Sequence, residues 1–311
     1  MITPPYLKQG DKIGIIAPAR RVSPEDITAG IDVLRNAGFE VVEGKNLYNQ
    51  MNIYAGTDNE RAADLQDMID RKDISAIIAA RGGYGCVRVV DDVDFAPLIN
   101  NPKWLIGFSD ITVFHSHLHH NYGIETLHSH VLTCYKDYAP NNHTIESLLA
   151  ALKGETLHYT WPTDTDHQHL NKHGEITAEI IGGNLSILHN LTGTNSDLDV
   201  AGKILFIEDI DEQLYHIDRM MVHLKRCGKI DLLAGLVVGA MTDMKDNEKV
   251  AYGKNVFEII HEHVHEIGFP VVFDFPAGHQ PENAALILGR EVTLSVTEDG
   301  NSLLFHEGDL S

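Results

Sequence analysis

Short apolar runs alternate with amphipathic stretches through the first half of the chain. KIGIIAP (12–18) reads as a buried strand. Ser23 then precedes Pro24, with Asp26 three residues after the serine, which predicts an N-cap and a first-turn proline. Ile27, Ile31 and Leu34 fall on one helical face, and Gly38 is placed to end that helix in a left-handed cap. FEVVEG is the next strand, and residues 58–71 predict a helix with Leu65, Met68 and Ile69 turned inward. ISAIIAA (74–80) and WLIGF (104–108) are two more buried strands. This alternation predicts βαβ units and a mostly parallel α/β sheet.

The pattern changes at GETLHYTWPTDTDHQHLNKHGEIT (154–177), which is polar, rich in Thr, His and Asp, and interrupted by Pro162. It reads as a crossing between two domains, residues 1–153 and 177–311, with 154–176 as the linker. Beyond it come the apolar runs IIGGN, KILFIED, LAGLVVGAM and FPVVFDFP, then a hairpin around Asp299-Gly300. Alternation at Val292, Leu294 and Val296 gives that hairpin one wet face. A length of 311 residues fits two domains.

Charge narrows the function classes. With 24 Lys and Arg against 45 Asp and Glu, the net charge is −21, which argues against nucleic acid or an anionic membrane as partner. Cys86, Cys134 and Cys227 form no C-x-x-C pair, so neither a disulfide framework nor a thiolate zinc site is expected, and a reducing, cytoplasmic compartment fits. The N-terminal apolar stretch (13–17) has no basic start and does not read as a signal peptide. The longest apolar run (232–241) is too short to span a bilayer.

Four motifs carry possible chemistry. RGGYG (81–85) directly follows a buried strand, where paired glycines let backbone N–H groups approach a ligand; a plain tight turn would look the same. GFSD (107–110) places Ser109 on a sharp strand-to-helix turn, with amides nearby to hold an oxyanion, although Ser or Asp before a helix is most often an N-cap. FIEDIDE (206–212) ends an apolar strand with carboxylates, one of which could orient an imidazole; most acidic loops are merely solvated. FPAGHQPEN (275–283) sets His279 in a loop after a strand, a suitable place for a general base. The chain also holds 19 histidines, among them His115, His117, His119 and His120 on one predicted helix. HEHVH (261–265) formally matches the H-E-x-x-H zinc motif, with His261 and His265 on one helix face. Val256, Ile260, Val264 and Ile267 already form that helix's buried stripe, and Val271 stands where an extended motif would place a third histidine.

In this order the motifs resemble the LD-carboxypeptidase (muramoyltetrapeptide carboxypeptidase) family of serine peptidases. The resemblance runs over nearly the whole chain: LKQGDKIGIIAPA, YAGTDNERAADL, AARGGYGCVRVV, KWLIGFSDITVFH, IIGGNLSIL, ILFIEDIDEQLYHIDRMMVHL and FDFPAGHQPENAALILG. One departure is LHSHV (127–131), where His128 is kept but Ser129 and His130 replace the family's Gly and Pro. The resemblance implies an N-terminal Rossmann-like domain, a smaller β-rich C-terminal α/β domain, an active site in the cleft between them, and a homodimer. It implies Ser109 as nucleophile, Glu208 and His279 as its partners, and no cofactor or metal. Backbone N–H groups of Asp110 and of Gly83, or else Gly82, would hold the oxyanion. Arg81 and Tyr84 are the candidates for binding substrate, Arg81 at its terminal carboxylate, although Arg81 could equally serve an internal ion pair. The implied reaction releases terminal D-Ala from murein tetrapeptide during cell-wall recycling. Three alternatives compete. One is a hydrolase of aminoacyl-sulfamoyl adenylates of the microcin C immunity type, for which Trp161 is the one tryptophan free to stack on a base and reads better as packing. The others are a catalytically silent binding protein and a zinc peptidase built on His261 and His265.

Overall fold

The structure, a computed structural model, describes residues 1–137, 142–162 and 166–308. Its first half runs β1 (Lys12–Ile16), α1 (Pro24–Asn36), β2 (Glu40–Glu43), α2 (Asp58–Asp70), β3 (Ile74–Ala79), α3 (Pro97–Asn100), β4 (Trp104–Gly107), α4 (Thr112–Tyr122), β5 (Thr126–His128) and α5 (His143–Lys153). The second half continues with β6 (His158–Trp161), β7 (Gly174–Asn184), α6 (Leu185–Leu191), β8 (Ile204–Ile210), α7 (Leu214–Arg226), β9 (Gly235–Thr242), α8 (Val256–Val264), β10 (Val271–Val272), β11 (Leu286–Leu288), β12 (Glu291–Val296) and β13 (Asn301–Phe305).

Local chemistry sets these boundaries. The Asp26 carboxylate accepts from the Ser23 N–H at 2.8 Å and its hydroxyl at 3.0 Å, opening α1, and Gly38 leaves the helix at φ +94°. Thr57 and Glu60 exchange hydrogen bonds of 3.2 and 2.8 Å at the start of α2. The run FPVVFDFP yields only the two-residue β10, because Asp274 turns to φ +60° and ends the extended backbone.

Two sheets result. The first has the order β11-β5-β4-β3-β1-β2, parallel except for β11, as the apolar runs predict. The second, β10-β9-β8-β7-β12-β13-β6, is parallel from β10 to β7 and antiparallel beyond, and with seven strands it is the wider sheet. A single apolar cluster runs from Ile13, Trp104 and Leu127 to Phe206, Val237 and Leu294, so the sheets share one core. Helix α4 bridges them: the Asn184 N–H donates to Thr112 Oγ1 at 3.0 Å, and His119 pairs with Glu179 of β7.

Two placements differ from a simple division at a linker. Within 154–176, residues 158–161 form β6 and pair with β13 at the edge of the second sheet, while residues 163–165 lie outside the described residues. Alternating Tyr159 and Trp161 bury against Phe275 with ring centroids 5.7 and 5.1 Å away, so an outwardly polar segment acts as an edge strand. Strand β11 leaves the C-terminal half altogether and pairs antiparallel with β5 of the first sheet. One glycine in the second sheet is essential to this packing. Gly182 sits at φ +131°, and a Cβ there would lie 1.9 Å from the Phe206 carbonyl oxygen. Gly182→Ala should therefore cost about 3–5 kcal/mol of stability, strain and overpacking together. A thermal melt indistinguishable from the parent would contradict that account.

Candidate active site

The four motifs meet at carboxyl ends of parallel strands, two from each sheet: RGGYG after β3, GFSD after β4, Glu208 near the end of β8, and the His279 loop after β10. Open α/β sheets gather ligands at such ends.

Ser109 opens a 3-10 turn, Ser109–Ile111, rather than capping a helix. Its φ of +62° is a left-handed conformation unusual for a residue with a side chain, as a sharp strand-to-helix turn demands. The neighbouring Asp110 is buried, and its Oδ2 accepts from the Cys86 N–H at 2.9 Å, which ties the serine turn to the RGGYG turn. Burial pushes the Asp110 carboxyl above its ordinary range, against the pull of that hydrogen bond. Asp110 stands at the start of the turn, so its own N–H has no intrahelical acceptor. Gly82 packs directly beside the serine: a Cβ on it would lie 3.2 Å from Ser109 Cβ and 3.5 Å from Oγ. Gly83 is exposed at φ +108°.

Glu208 is fully buried, and its Oε2 lies 2.6 Å from His279 Nδ1. Gly278, at φ +116°, makes this approach possible, because a Cβ there would lie 2.8 Å from Glu208 Cβ. The loop is held at both ends: Gly278 N–H donates to Asn283 Oδ1 at 2.8 Å, and Thr242 Oγ1 donates to the His279 carbonyl at 2.6 Å. Burial alone would lower the His279 pKa, but the Glu208 charge and hydrogen bond outweigh it and raise it. Donation of Nδ1–H to Glu208 leaves Nε2 as the basic nitrogen. The Phe108 ring, adjacent in sequence to Ser109, lies 4.6 Å from the His279 ring and 5.0 Å from that of His130. Glu208 and His279 are thus joined, with Ser109 on the neighbouring strand end; among the described residues no hydrogen bond links Ser109 to His279.

The remaining candidates, Arg81 and Tyr84, both lie on the RGGYG turn. Arg81 is partly exposed, and its Nη1 reaches the Arg21 carbonyl at 3.4 Å. Tyr84 is exposed, with its ring 6.1 Å from that of Tyr54. Behind the site, Asp209 accepts from Asn184 Nδ2 at 3.0 Å and from the Ser186 N–H at 2.8 Å. Burial first, and the Glu208 charge second, push its carboxyl up to about 7. Sequence reasoning singled out neither Asp209 nor Asn184, and the adjacent acids of FIED were the one available signal. His128 and His130 are buried, and burial lowers both, His130 to about 4, so they are neutral near pH 7. The His130 ring lies tilted against that of Phe108, at an interplanar angle of 49°. On α8 the His261 and His265 rings lie 5.6 Å apart; among the described residues no group of three or more His, Cys, Asp or Glu is placed to hold a metal ion. No described helix is long and apolar enough to cross a membrane.

Residues 13–129 match the family model for the LD-carboxypeptidase N-terminal domain, and residues 177–294 the model for its C-terminal domain. The chain is 33% identical to the probable murein peptide carboxypeptidase of Bacillus subtilis, over 95% of this chain and 92% of that protein. It is 26% identical to the microcin C7 self-immunity protein MccF of Escherichia coli, over 98% and 96%. The crystal structure of muramoyltetrapeptide carboxypeptidase from Oxalobacter formigenes superposes with a TM-score of 0.85 at 27% identity, covering 95% of this chain and 99% of that one.

Proposed function

Because the chain belongs to the LD-carboxypeptidase family, we propose that it is a serine-type carboxypeptidase that releases terminal D-alanine from murein tetrapeptide. The observation that carries the catalytic part is the 2.6 Å bond from buried Glu208 to His279, beside a serine held at positive φ. Glu208 fixes the imidazole tautomer and stabilises the imidazolium. His279 Nε2 then takes the Ser109 proton as Oγ attacks the carbonyl of the L-configured residue that precedes D-alanine. The developing oxyanion is held by the Asp110 N–H and by that of Gly83, or of Gly82, which lies closer to Ser109. Each such donor contributes about 3–4 kcal/mol in comparable enzymes. His279 returns the proton to the leaving amine, and water, deprotonated by the same imidazole, hydrolyses the acyl-enzyme. Arg81 and Tyr84 line the approach. The family resemblance supports a homodimer, and the cysteine usage a reducing, cytoplasmic compartment.

The microcin-type reading has less support. MccF is the more distant relative, and Trp161 is buried, with its Nε1 donating to the Phe273 carbonyl at 3.3 Å, so it offers no stacking face. Mass spectrometry of murein tetrapeptide treated with the enzyme should show loss of one D-alanine, unchanged by a chelator. An intact tetrapeptide alongside a consumed acyl-sulfamoyl adenylate would favour the microcin reading. Activity abolished by chelation would return attention to His261 and His265.

A further inference from the structure

Around the RGGYG turn the protein collects guanidinium groups that its own carboxylates do not neutralise. Arg61 and Arg88 both pair with Asp58. Among the described residues Arg20, Arg21 and Arg81 pair with no carboxylate, in a chain that has 45 of them and a net charge of −21. Cations without a carboxylate partner around one turn are suited to an incoming anion.

The three arginines are not equivalent. Arg21 Nη1 donates to Gln50 Oε1 at 3.0 Å. Arg81 reaches back to the Arg21 carbonyl, and its charge is felt by Asp26 at the start of α1. Arg20 takes another path. Its backbone N–H donates to the Gly82 carbonyl at 3.4 Å, and its exposed side chain runs over Gly83, where an added Cβ would meet Cδ at 2.6 Å and Nε at 2.8 Å. Gly82 is in turn covered by Ser109, with Oγ 3.5 Å from the place of its missing Cβ. Only the Gly82-Gly83 pair therefore separates the Arg20 stem from the nucleophile.

Resting on the carboxypeptidase reading above, we propose that Arg20, rather than Arg81, binds the free α-carboxylate of the departing residue and so restricts the enzyme to chain ends. In a peptide the terminal carboxylate carbon is only about 3.7 Å from the scissile carbonyl carbon, two bonds past the amide nitrogen. Its partner must stand close to Ser109; the Arg20 stem lies over Gly83, next to the Gly82 that abuts the serine, whereas the Arg81 guanidinium is turned to the Arg21 carbonyl. A planar guanidinium can take both carboxylate oxygens at once, which an ammonium cannot. Gly83 is needed here as well: any side chain at that position would push Arg20 off the turn.

The test compares kcat/KM on murein tetrapeptide and on its C-terminal carboxamide for wild type, Arg20→Gln, Arg20→Lys and Arg81→Gln. Loss of a charged hydrogen-bonding partner predicts a fall of about 10–150-fold on the free acid for Arg20→Gln. The carboxamide rate should stay within about two-fold, so that the preference for a free carboxylate collapses; Arg20→Lys should recover part of it. Arg81→Gln should keep the preference. A preference retained in Arg20→Gln, or lost in Arg81→Gln alone, overturns the assignment while leaving the carboxypeptidase reading intact. A wild type that hydrolyses neither peptide overturns both.

Discussion

Ser109→Ala is expected to lower kcat by about four to six orders of magnitude while substrate affinity stays nearly unchanged. The residual rate would come from the oxyanion donors and binding alone. The substitution removes one oxygen and adds nothing to a site where Ser109 already carries a Cβ at φ +62°, so the fold should be undisturbed. A glycine at the same position separates function from strain. Ser109→Gly should be equally inactive yet more stable by about 1 kcal/mol, because glycine adopts that backbone conformation freely. The strained turn would then be a cost carried for catalysis. Stopped assays on tetrapeptide and thermal melts of the three proteins decide the matter. Turnover of Ser109→Ala within ten-fold of wild type would remove serine from the role of nucleophile.

What could be read from the chain alone depended on how local the signal was. The parallel part of both sheets was legible because β1, β3, β4, β8 and β9 are apolar on both faces, as strands buried under helices must be. Segment 154–176 misleads because β6 is an edge strand with two exposed polar positions, His158 and Thr160, and only its alternate residues enter the core. The antiparallel return of β11 to the first sheet leaves no mark in three residues of sequence, since strand pairing is non-local. The same contrast holds at the site. Ser109, Glu208 and His279 each stand in a recognisable motif, whereas Arg20 sits in an ordinary APARR stretch and gains meaning only from the glycine it crosses. Net charge mislead in a further way. It is a sum over the whole chain, whereas Arg20, Arg21 and Arg81 around the RGGYG turn pair with no carboxylate among the described residues.

Glu208→Gln should cost about 10³–10⁴ in kcat and also move the acidic limb of the pH profile, and the direction of that movement is the sharper test. His279 must be neutral to accept the serine proton, so kcat/KM rises as pH climbs through its pKa. In the wild type that pKa is raised, because the carboxylate at 2.6 Å overcomes burial. An amide keeps the shape but not the charge, so burial prevails and the limb shifts to lower pH. Asp209 opposes part of this shift. Its carboxyl is held at about 7 by burial and by the Glu208 charge, and removal of that charge lets it ionise more readily. The new carboxylate lies close enough to His279 to raise the imidazole pKa in its turn. The single variant should therefore show a smaller shift than Glu208→Gln combined with Asp209→Asn, which has no carboxylate left to compensate. A limb that stays fixed, or moves to higher pH, would mean that Glu208 does not set the protonation of His279.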